Sequence, residues 1–302
     1  MLNEIQPATA PDDAMARPAP NATTGAQAFE FGIRDLVYQD TGSKKRLARL
    51  YQPAGTAPFP MVVQVHGGAW NNKDRTDGQG LALDLVAAGI VVLSLDFRNA
   101  PEAPYPASLQ DINYGIRWAK AHAHQFGSGP ERVGILGTSS GGHQALLSAI
   151  RADYPAYTAI PLKEASDMDA KLAFAIAGWG VLYPFERYKL AKAQGKQEMI
   201  SNHHTFFGTD EATQIDATPA LIIERKEKVH LPPALTFQGT NDEWTSVEQA
   251  EQLGAIYRAA GGSMDVLLYE GERHTFVSEF PMKPNSVKAV AAVVEFIKKH
   301  AG

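Results

Sequence analysis

Eight short apolar runs recur along the chain from residue 33 onward, and the central ones are continuous rather than alternating. The run 61–65 has the sequence MVVQV and the run 234–238 has the sequence ALTFQ. Continuous runs of this length are typical of parallel strands that are covered on both faces. We predict strands at 33–38, 46–51, 61–65, 90–96, 132–136, 171–179, 234–238 and 264–270.

Between these predicted strands, apolar residues recur at the spacing of an α-helix. The segments 109–119 and 287–297 place apolar residues at steps of three and four, and Ser246 with Gln249 resembles a capping box that opens a further helix. Strands that alternate with helices predict a doubly wound, mostly parallel α/β sheet with helices on both faces. The short turn DTGSKK joins the first two strands, which we expect to form an antiparallel pair at the edge.

Two segments do not follow this alternation. Residues 1–28 are rich in Ala, Pro and Thr and have few large apolar side chains, so we expect a flexible arm unless the folded body provides a docking surface. Residues 181–232 separate two predicted strands by a length that exceeds an ordinary crossover. We interpret them as a small cap insertion over the sheet edge, within a single domain that covers residues 29–302.

The composition excludes several classes of function. A net charge of -5 gives no basic field, which argues against nucleic acid as a partner. The chain has no cysteine, which removes disulfides, thiolate nucleophiles and cysteine-based zinc sites. We find neither an apolar stretch of about 18 residues, as a membrane helix requires, nor a secretory signal. We therefore expect a cytoplasmic protein with no membrane partner, and leave open whether it forms a homodimer.

The segment 137–141, GTSSG, follows one of the apolar runs and fits the pattern G-x-S-x-G. The pattern allows a sharp turn from a strand into a helix that holds the hydroxyl of Ser139 in a strained, exposed position. A glycine-rich turn without catalytic function has the same short signature. The motif alone leaves both interpretations open.

Polar residues at other strand ends strengthen the catalytic interpretation. Asp242 follows the seventh predicted strand and His274 follows the eighth, so both should reach the same sheet edge as Ser139. A serine needs a neighbouring base, histidine can exchange a proton near neutral pH, and a carboxylate orients the imidazole. The pattern therefore predicts Ser139 as the nucleophile, His274 as the base and Asp242 as the acid. Glu243 and Glu270 are the alternatives for the acid.

The tetrahedral intermediate of such a reaction needs hydrogen-bond donors for its oxyanion. The segment 66–70, HGGAW, follows the third strand, where Gly67 and Gly68 can bring backbone N–H groups close to the nucleophile. The N–H of Ser140, at the start of the following helix, is the third predicted donor. We expect His66 to organise this loop.

The stretches HGGAW, LDFRNAPEAPYPASLQD, GTSSGG, GTNDE and GERHTF together resemble the hormone-sensitive-lipase-like branch of the α/β-hydrolases, with its acetyl-esterase and kynurenine-formamidase relatives. The resemblance covers roughly residues 30–300. It implies that Ser139 is the nucleophile, Asp242 the acid and His274 the base, without cofactor or metal. Ala69 replaces a glycine common in the family, which favours the acetyl-esterase and formamidase relatives, and Ser140 replaces a common alanine or acidic residue.

Further polar residues near the strand ends receive structural interpretations. We expect packing roles for His143, His203 and His204, and an ion pair between Asp96 and Arg98. Adjacent His203 and His204 would point apart on regular structure, and no third metal ligand is evident.

These observations predict a serine carboxylesterase acting on a small-molecule ester through an acyl-enzyme. An amide or aryl-formamide hydrolase with the same triad is the alternative, and a catalytically inactive ligand-binding relative is a remote one. Pockets for small esters are lined by apolar and aromatic side chains. We therefore expect Trp70, Trp179, Tyr183 and Trp244 to contact the substrate.

Overall fold

A computed structural model describes residues 28–301, and the N-terminal arm predicted from the sequence lies outside the described residues apart from residue 28. The described residues contain eight strands in one sheet, which confirms the prediction. They are β1 (Phe31–Asp40), β2 (Lys45–Pro53), β3 (Met61–Val65), β4 (Val91–Leu95), β5 (Val133–Thr138), β6 (Ala175–Gly178), β7 (Ala234–Gly239) and β8 (Met264–Tyr269).

The strand order across the sheet is β1-β2-β4-β3-β5-β6-β7-β8. Strand β1 pairs with β2 in antiparallel register, as expected from the short turn between them, and β2 pairs antiparallel with β4. The remaining neighbours are all parallel. The carboxyl ends of β3, β5, β6, β7 and β8 therefore meet at one edge.

Helices cover both faces of this sheet. They are α1 (Gln79–Ala87), α2 (Ala107–His122), α3 (Ser140–Ile150), α4 (Pro184–Gln194), α5 (Gln197–Phe207), α6 (Glu211–Asp216), α7 (Pro219–Glu224), α8 (Val247–Ala259), α9 (Phe276–Glu279) and α10 (Pro284–Ala301). None of the helices within residues 28–301 is long and apolar enough to cross a membrane.

The alternation of side chains along β3 divides the core into two layers. Val62 packs in the cluster that includes α1 and α10, whereas Val63 packs in the cluster that includes α2 and part of α3. Successive residues of a strand point to opposite faces, so a strand buried on both faces needs an apolar residue at nearly every position. This requirement explains the continuous apolar runs in the sequence.

Strand β6 is shorter than the predicted 171–179 and ends at Gly178. The next residue, Trp179, has a positive φ of 36°, which an extended strand cannot contain. Its N–H donates to the carbonyl of Phe237 on β7 at 2.6 Å. The chain therefore turns away from the sheet directly after β6.

Four helices, α4 to α7, lie between β6 and β7, where the sequence predicted an insertion. Their apolar side chains do not form a separate core. Phe206 and Phe207 of α5 pack against Trp70, which follows β3, with ring centroids 5.3 and 5.2 Å apart. The insertion is thus attached to the loop at the carboxyl end of β3.

The predicted ion pair between Asp96 and Arg98 is wrong. Asp96 pairs instead with Arg75 at 3.0 Å, and Arg98 with Asp111 at 2.9 Å. Asp111 is fully buried in α2 and also accepts from Arg46. The partners come from distant parts of the chain because the loop after β4 is enclosed by β2, α2 and the loop before α1.

Candidate active site

Ser139 occupies the turn between β5 and α3 in a strained conformation, with φ 54° and ψ −124°. Its N–H donates to the carbonyl of Gly178 at 3.0 Å, and its carbonyl accepts from the N–H of Val181 at 3.1 Å. These bonds to the neighbouring strand end hold a backbone conformation that L-residues rarely adopt. The arrangement is the strand-to-helix turn that the G-x-S-x-G pattern predicted.

Glycines around Ser139 are required by close backbone contacts. A Cβ at Gly137 would lie 2.1 Å from the carbonyl oxygen of Gly141. A Cβ at Gly141 would lie 2.3 Å from the carbonyl oxygen of Val65 and 2.4 Å from that of His66. Only glycine lets the start of α3 approach the end of β3 this closely.

Ser139, His274 and Asp242 form one chain of hydrogen bonds. The Nε2 atom of His274 is 3.1 Å from the Oγ of Ser139, and its Nδ1 atom is 2.7 Å from the Oδ2 of Asp242. The Asp242 side chain is fully buried, and its Oδ1 accepts the N–H groups of Trp244 and Thr245 at 2.8 and 3.0 Å. The carboxylate is thus fixed by its own loop and oriented toward the imidazole.

The two alternative acids occupy different positions. Glu243 is exposed, and its carboxylate accepts from Arg273 at 3.0 Å. Glu270 is exposed at the end of β8. Among residues 28–301, the carboxylate bonded to the ring of His274 is that of Asp242.

The predicted oxyanion donors lie beside Ser139. A Cβ at Gly67 would be 3.3 Å from the Cβ of Ser139, so Gly67 lies directly beside that side chain. Within residues 28–301 the N–H groups of Gly67 and Gly68 make no hydrogen bond. The hydroxyl of Ser140 accepts the N–H of Trp70 at 3.1 Å, which connects the loop after β3 to the start of α3.

Three histidines near the site have structural contacts. His66 stacks on Phe97 with ring centroids 4.0 Å apart, and its Nδ1 contacts the carbonyl of Gly67 at 2.9 Å. Burial lowers the pKa of His143 to about 4, and its ring accepts from the Nε1 of Trp70 at 3.2 Å. Burial likewise lowers the pKa of His203 to about 3, so both imidazoles are neutral near pH 7.

A cavity of about 520 Å³ contains Ser139 and His274. Trp70, Trp179 and Trp244, three of the four residues expected to contact the substrate, line it. The rings of Trp179 and Trp244 flank the His274 imidazole, each with centroids 6.4 Å apart.

Tyr183 is not among the side chains that line this cavity, which corrects the prediction for that residue. It is buried in the core at the start of α4, and its hydroxyl has no hydrogen-bond partner within residues 28–301. Tyr183 immediately precedes α4 and its side chain is buried, whereas Arg187, one turn into the helix, reaches the cavity.

Arg187 was missed by the sequence analysis although a signal was present. Helix α4 buries Pro184, Arg187, Tyr188 and Ala191, which recur at steps of three and four. The arginine therefore occupies a position on the apolar stripe, where a charged residue is unusual.

The arrangement provides a hydroxyl beside a base, a base beside a buried acid, and unbonded N–H groups beside the hydroxyl. These are the parts needed for nucleophilic attack on a carbonyl carbon. The eight-stranded sheet and the strand-to-helix turn at Ser139 define the chain as an α/β-hydrolase.

The model of the BD-FAE family matches residues 49–256. The chain belongs to this family. It is 30% identical over 273 residues to esterase LipC of Mycobacterium tuberculosis, covering 85% of this chain and 65% of that protein. It is also 30% identical to the carboxylic ester hydrolase LipN of the same organism, covering 84% of this chain and 66% of LipN. The chain spans about half to two thirds of the length of such relatives.

Solved structures show the same fold. The esterase LipW from Mycobacterium marinum superimposes with a TM-score of 0.73 at 22% identity, covering 89% of this chain and 82% of LipW. A hyperthermophilic esterase from Pyrobaculum calidifontis superimposes with a TM-score of 0.70 at 22% identity, covering 89% of this chain and 86% of that one. The expected α/β-hydrolase fold is thereby confirmed.

Proposed function

We propose that the protein hydrolyses small carboxylic esters through an acyl-enzyme on Ser139. The observation that carries this proposal is the hydrogen-bond chain from Ser139 through His274 to Asp242 in the wall of a cavity. The relatives LipC, an esterase, and LipN, a carboxylic ester hydrolase, support the same reaction class.

In this mechanism the Oγ of Ser139 attacks the ester carbonyl while the Nε2 of His274 accepts its proton. The imidazolium then protonates the leaving alcohol as the C–O bond breaks, which leaves an acyl ester on Ser139. Water attacks that ester with His274 again as base, and the acid product leaves. Asp242 holds the Nδ1–H of the imidazole and stabilises its charged form throughout.

The N–H groups of Gly67, Gly68 and Ser140 stabilise the oxyanion of both tetrahedral intermediates. The loss of one such donor commonly costs about 3–4 kcal/mol of transition-state stabilisation. Helices α4 to α7 serve as a cap that closes one side of the site, since Arg187, Glu198 and Asn202 of α4 and α5 line the cavity with Ser139.

Replacement of the nucleophile tests the proposal directly. We expect Ser139→Ala to lower kcat by about 10⁴–10⁶-fold for 4-nitrophenyl acetate, because no other group supplies the covalent step. The thermal midpoint should stay near that of the parent. Ser278→Ala, at an exposed serine on the rim of the same cavity, is the matched control and should retain activity. Residual activity of Ser139→Ala within tenfold of the parent would refute the assignment.

A substrate panel distinguishes ester from amide chemistry. We expect turnover of 4-nitrophenyl esters from acetate to octanoate, measured beside an aryl formamide and an anilide. If the aryl formamide had the highest kcat/KM, the amidase-type alternative would replace the esterase. If no member of the panel were hydrolysed, the chain would be assigned to the inactive ligand-binding relatives.

A further inference from the structure

Arg187 is a buried cation in the wall of the cavity that contains Ser139. The residue is 8% exposed, and its position on the buried stripe of α4 directs the side chain into the protein. It lines the cavity together with Ser139, His274 and Trp244. The triad mechanism gives this arginine no role.

The partners of the guanidinium are uncharged. Its Nε–H donates to the carbonyl of Trp244 at 3.0 Å, and its Nη1 donates to the Nε2 of His203 at 2.8 Å. The neutral His203 in turn donates from Nδ1 to the Oε1 of Gln214 at 2.9 Å. Within residues 28–301 no carboxylate lies within 4 Å of the guanidinium, and its Nη2 donors are unbonded.

A buried charge without a counter-charge is costly for the folded state. Burial lowers the pKa of Arg187 to about 10, an effect opposed by the field of the Asp242 carboxylate, so the side chain remains a cation near pH 7. The residue thus has both the charge and the unbonded donors of an anion-binding group. Guanidinium donors match the two oxygens of a carboxylate.

The other charged side chains that line the cavity are half-buried or exposed. Asp77 is paired with Lys73 at 2.7 Å, and the carboxylate of Glu279 accepts from the hydroxyl of Thr275 at 2.6 Å. Glu198 is exposed at the start of α5. Exposed charges are screened by water and salt, whereas a buried charge is screened less.

We propose that Arg187 is a specificity residue that binds a carboxylate carried by the ester substrate. The preferred substrates are then monoesters of dicarboxylic acids, or hydroxy acids that are esterified at the hydroxyl group and keep a free carboxylate. The proposal rests on the esterase function proposed above. The substrate carboxylate becomes the direct ion-pair partner of Arg187 by accepting the unbonded N–H groups of the guanidinium.

The same contacts give Arg187 a second possible role, the positioning of Asp242, and the experiment must distinguish this role from carboxylate binding. The carbonyl of Trp244 accepts from Arg187, and the N–H of Trp244 donates to Asp242. Loss of the arginine could therefore displace the triad acid. A displaced acid slows all substrates by the same factor, whereas a lost anion site slows only the anionic ones.

Two matched pairs of substrates make this separation. The first pair is 4-nitrophenyl hydrogen adipate and its methyl ester, which differ in charge on the acyl side. The second is 4-acetoxybenzoate and its methyl ester, which differ in charge on the leaving side. The measured quantity is the ratio of kcat/KM between the charged and neutral members, after subtraction of spontaneous hydrolysis.

We expect the parent enzyme to favour the charged member of one pair by tenfold or more. Arg187→Met should lower that ratio by about 10–100-fold, the range that a lost charged hydrogen bond supplies. Arg187→Lys keeps the positive charge but lacks the planar guanidinium with its paired N–H donors, so it should retain part of the ratio. Lys192→Met, at an exposed lysine of the same helix, is the matched control and should leave the ratio unchanged.

Several results would overturn the proposal. One is an unchanged ratio in Arg187→Met while both members slow equally, which assigns Arg187 to positioning of Asp242. Another, which requires no variant to fold, is a parent enzyme that hydrolyses the neutral member of each pair as fast as the charged one. Failure of the esterase function itself is distinct, because the parent then hydrolyses neither neutral ester.

Discussion

Asp242 has its two carboxylate oxygens assigned to different partners, with Oδ1 held by backbone N–H groups and Oδ2 by His274. We expect Asp242→Asn to lower kcat by about 10³–10⁴-fold. If the amide oxygen keeps the backbone bonds, the amide NH₂ faces Nδ1 and the proton moves to Nε2. That nitrogen then cannot accept the proton of Ser139.

Steady-state kinetics of 4-nitrophenyl ester hydrolysis measure this effect. Glu243→Gln is the matched control, because Glu243 is the adjacent acid and its carboxylate is engaged by Arg273 at the surface. A larger loss in Glu243→Gln than in Asp242→Asn would show that the acid is misassigned.

Trp179 separates His274 from the apolar core, with its ring packed on Phe237 and Phe276 and facing the imidazole of His274. We expect Trp179→Phe to raise kcat/KM for bulky acyl groups relative to acetate by about tenfold, because pocket shape supplies roughly 1–3 kcal/mol of discrimination. The smaller ring widens the cavity beside the base. A series of 4-nitrophenyl esters of increasing acyl size provides the measurement.

Tyr183 supplies the control for this change, since it is an aromatic residue of the same segment outside the cavity. Tyr183→Phe should leave the acyl preference unchanged. It should also raise the free energy of unfolding by about 1 kcal/mol, because it removes a buried hydroxyl that lacks a hydrogen-bond partner. A shift in acyl preference in Tyr183→Phe would mean that the tyrosine contacts the substrate.

At the scale of elements, the start of α3 is pressed against the end of β3 through Gly141. We expect Gly141→Ala to lower both the free energy of unfolding, by about 1–3 kcal/mol, and kcat. The added Cβ would lie 2.3 Å from the Val65 carbonyl, so the helix must move and take Ser139 with it. Urea unfolding and ester hydrolysis measure the two effects.

Gly195, which ends α4, is the matched control. It has a positive φ of 67° but no atom within 4 Å of an added Cβ. Gly195→Ala should therefore cost about 1 kcal/mol of stability through backbone strain alone and leave kcat unchanged. Equal losses of kcat in both variants would show that the contact at Gly141 does not position the nucleophile.

Elements that the sequence predicted well are those whose signal is local. Strand β3 was predicted with its observed bounds, Met61–Val65, because every position is apolar or buried on one face or the other. The proximity of Ser139, Asp242 and His274 was predictable because parallel topology brings strand ends together. The ion-pair partner of Asp96 and the buried position of Tyr183 could not be predicted from the sequence, since both depend on how distant loops and the insertion pack.

At the scale of the whole molecule, buried neutral histidines couple folding to pH. His143 and His203 have folded pKa values of about 4 and about 3, below the ordinary value for histidine because burial disfavours the charged ring. Below an ordinary pKa of about 6.5 the unfolded chain binds protons that the folded chain does not. Stability is therefore full above that pH and falls as the pH is lowered toward 4.

We expect each of these two histidines to contribute a loss of up to about 1.4 kcal/mol per pH unit between pH 6 and 5. Urea unfolding at several pH values gives the slope. His143→Gln and His203→Gln should each reduce it, whatever their effect on absolute stability. His124→Gln, at an exposed histidine, is the control. If neither His143→Gln nor His203→Gln changes the slope, these two histidines are not the groups that couple folding to pH.

The positions of the triad residues along the chain have a consequence for synthesis on the ribosome. Ser139 and His274 are 135 positions apart, and the base lies beyond the last strand of the sheet. At about 5–20 residues per second, roughly 7–27 s pass between the synthesis of nucleophile and base. A nascent chain that already carries β5 and its turn has neither base nor acid. Hydrolysis of a fluorogenic ester during translation should therefore begin only after the segment that carries His274 has emerged.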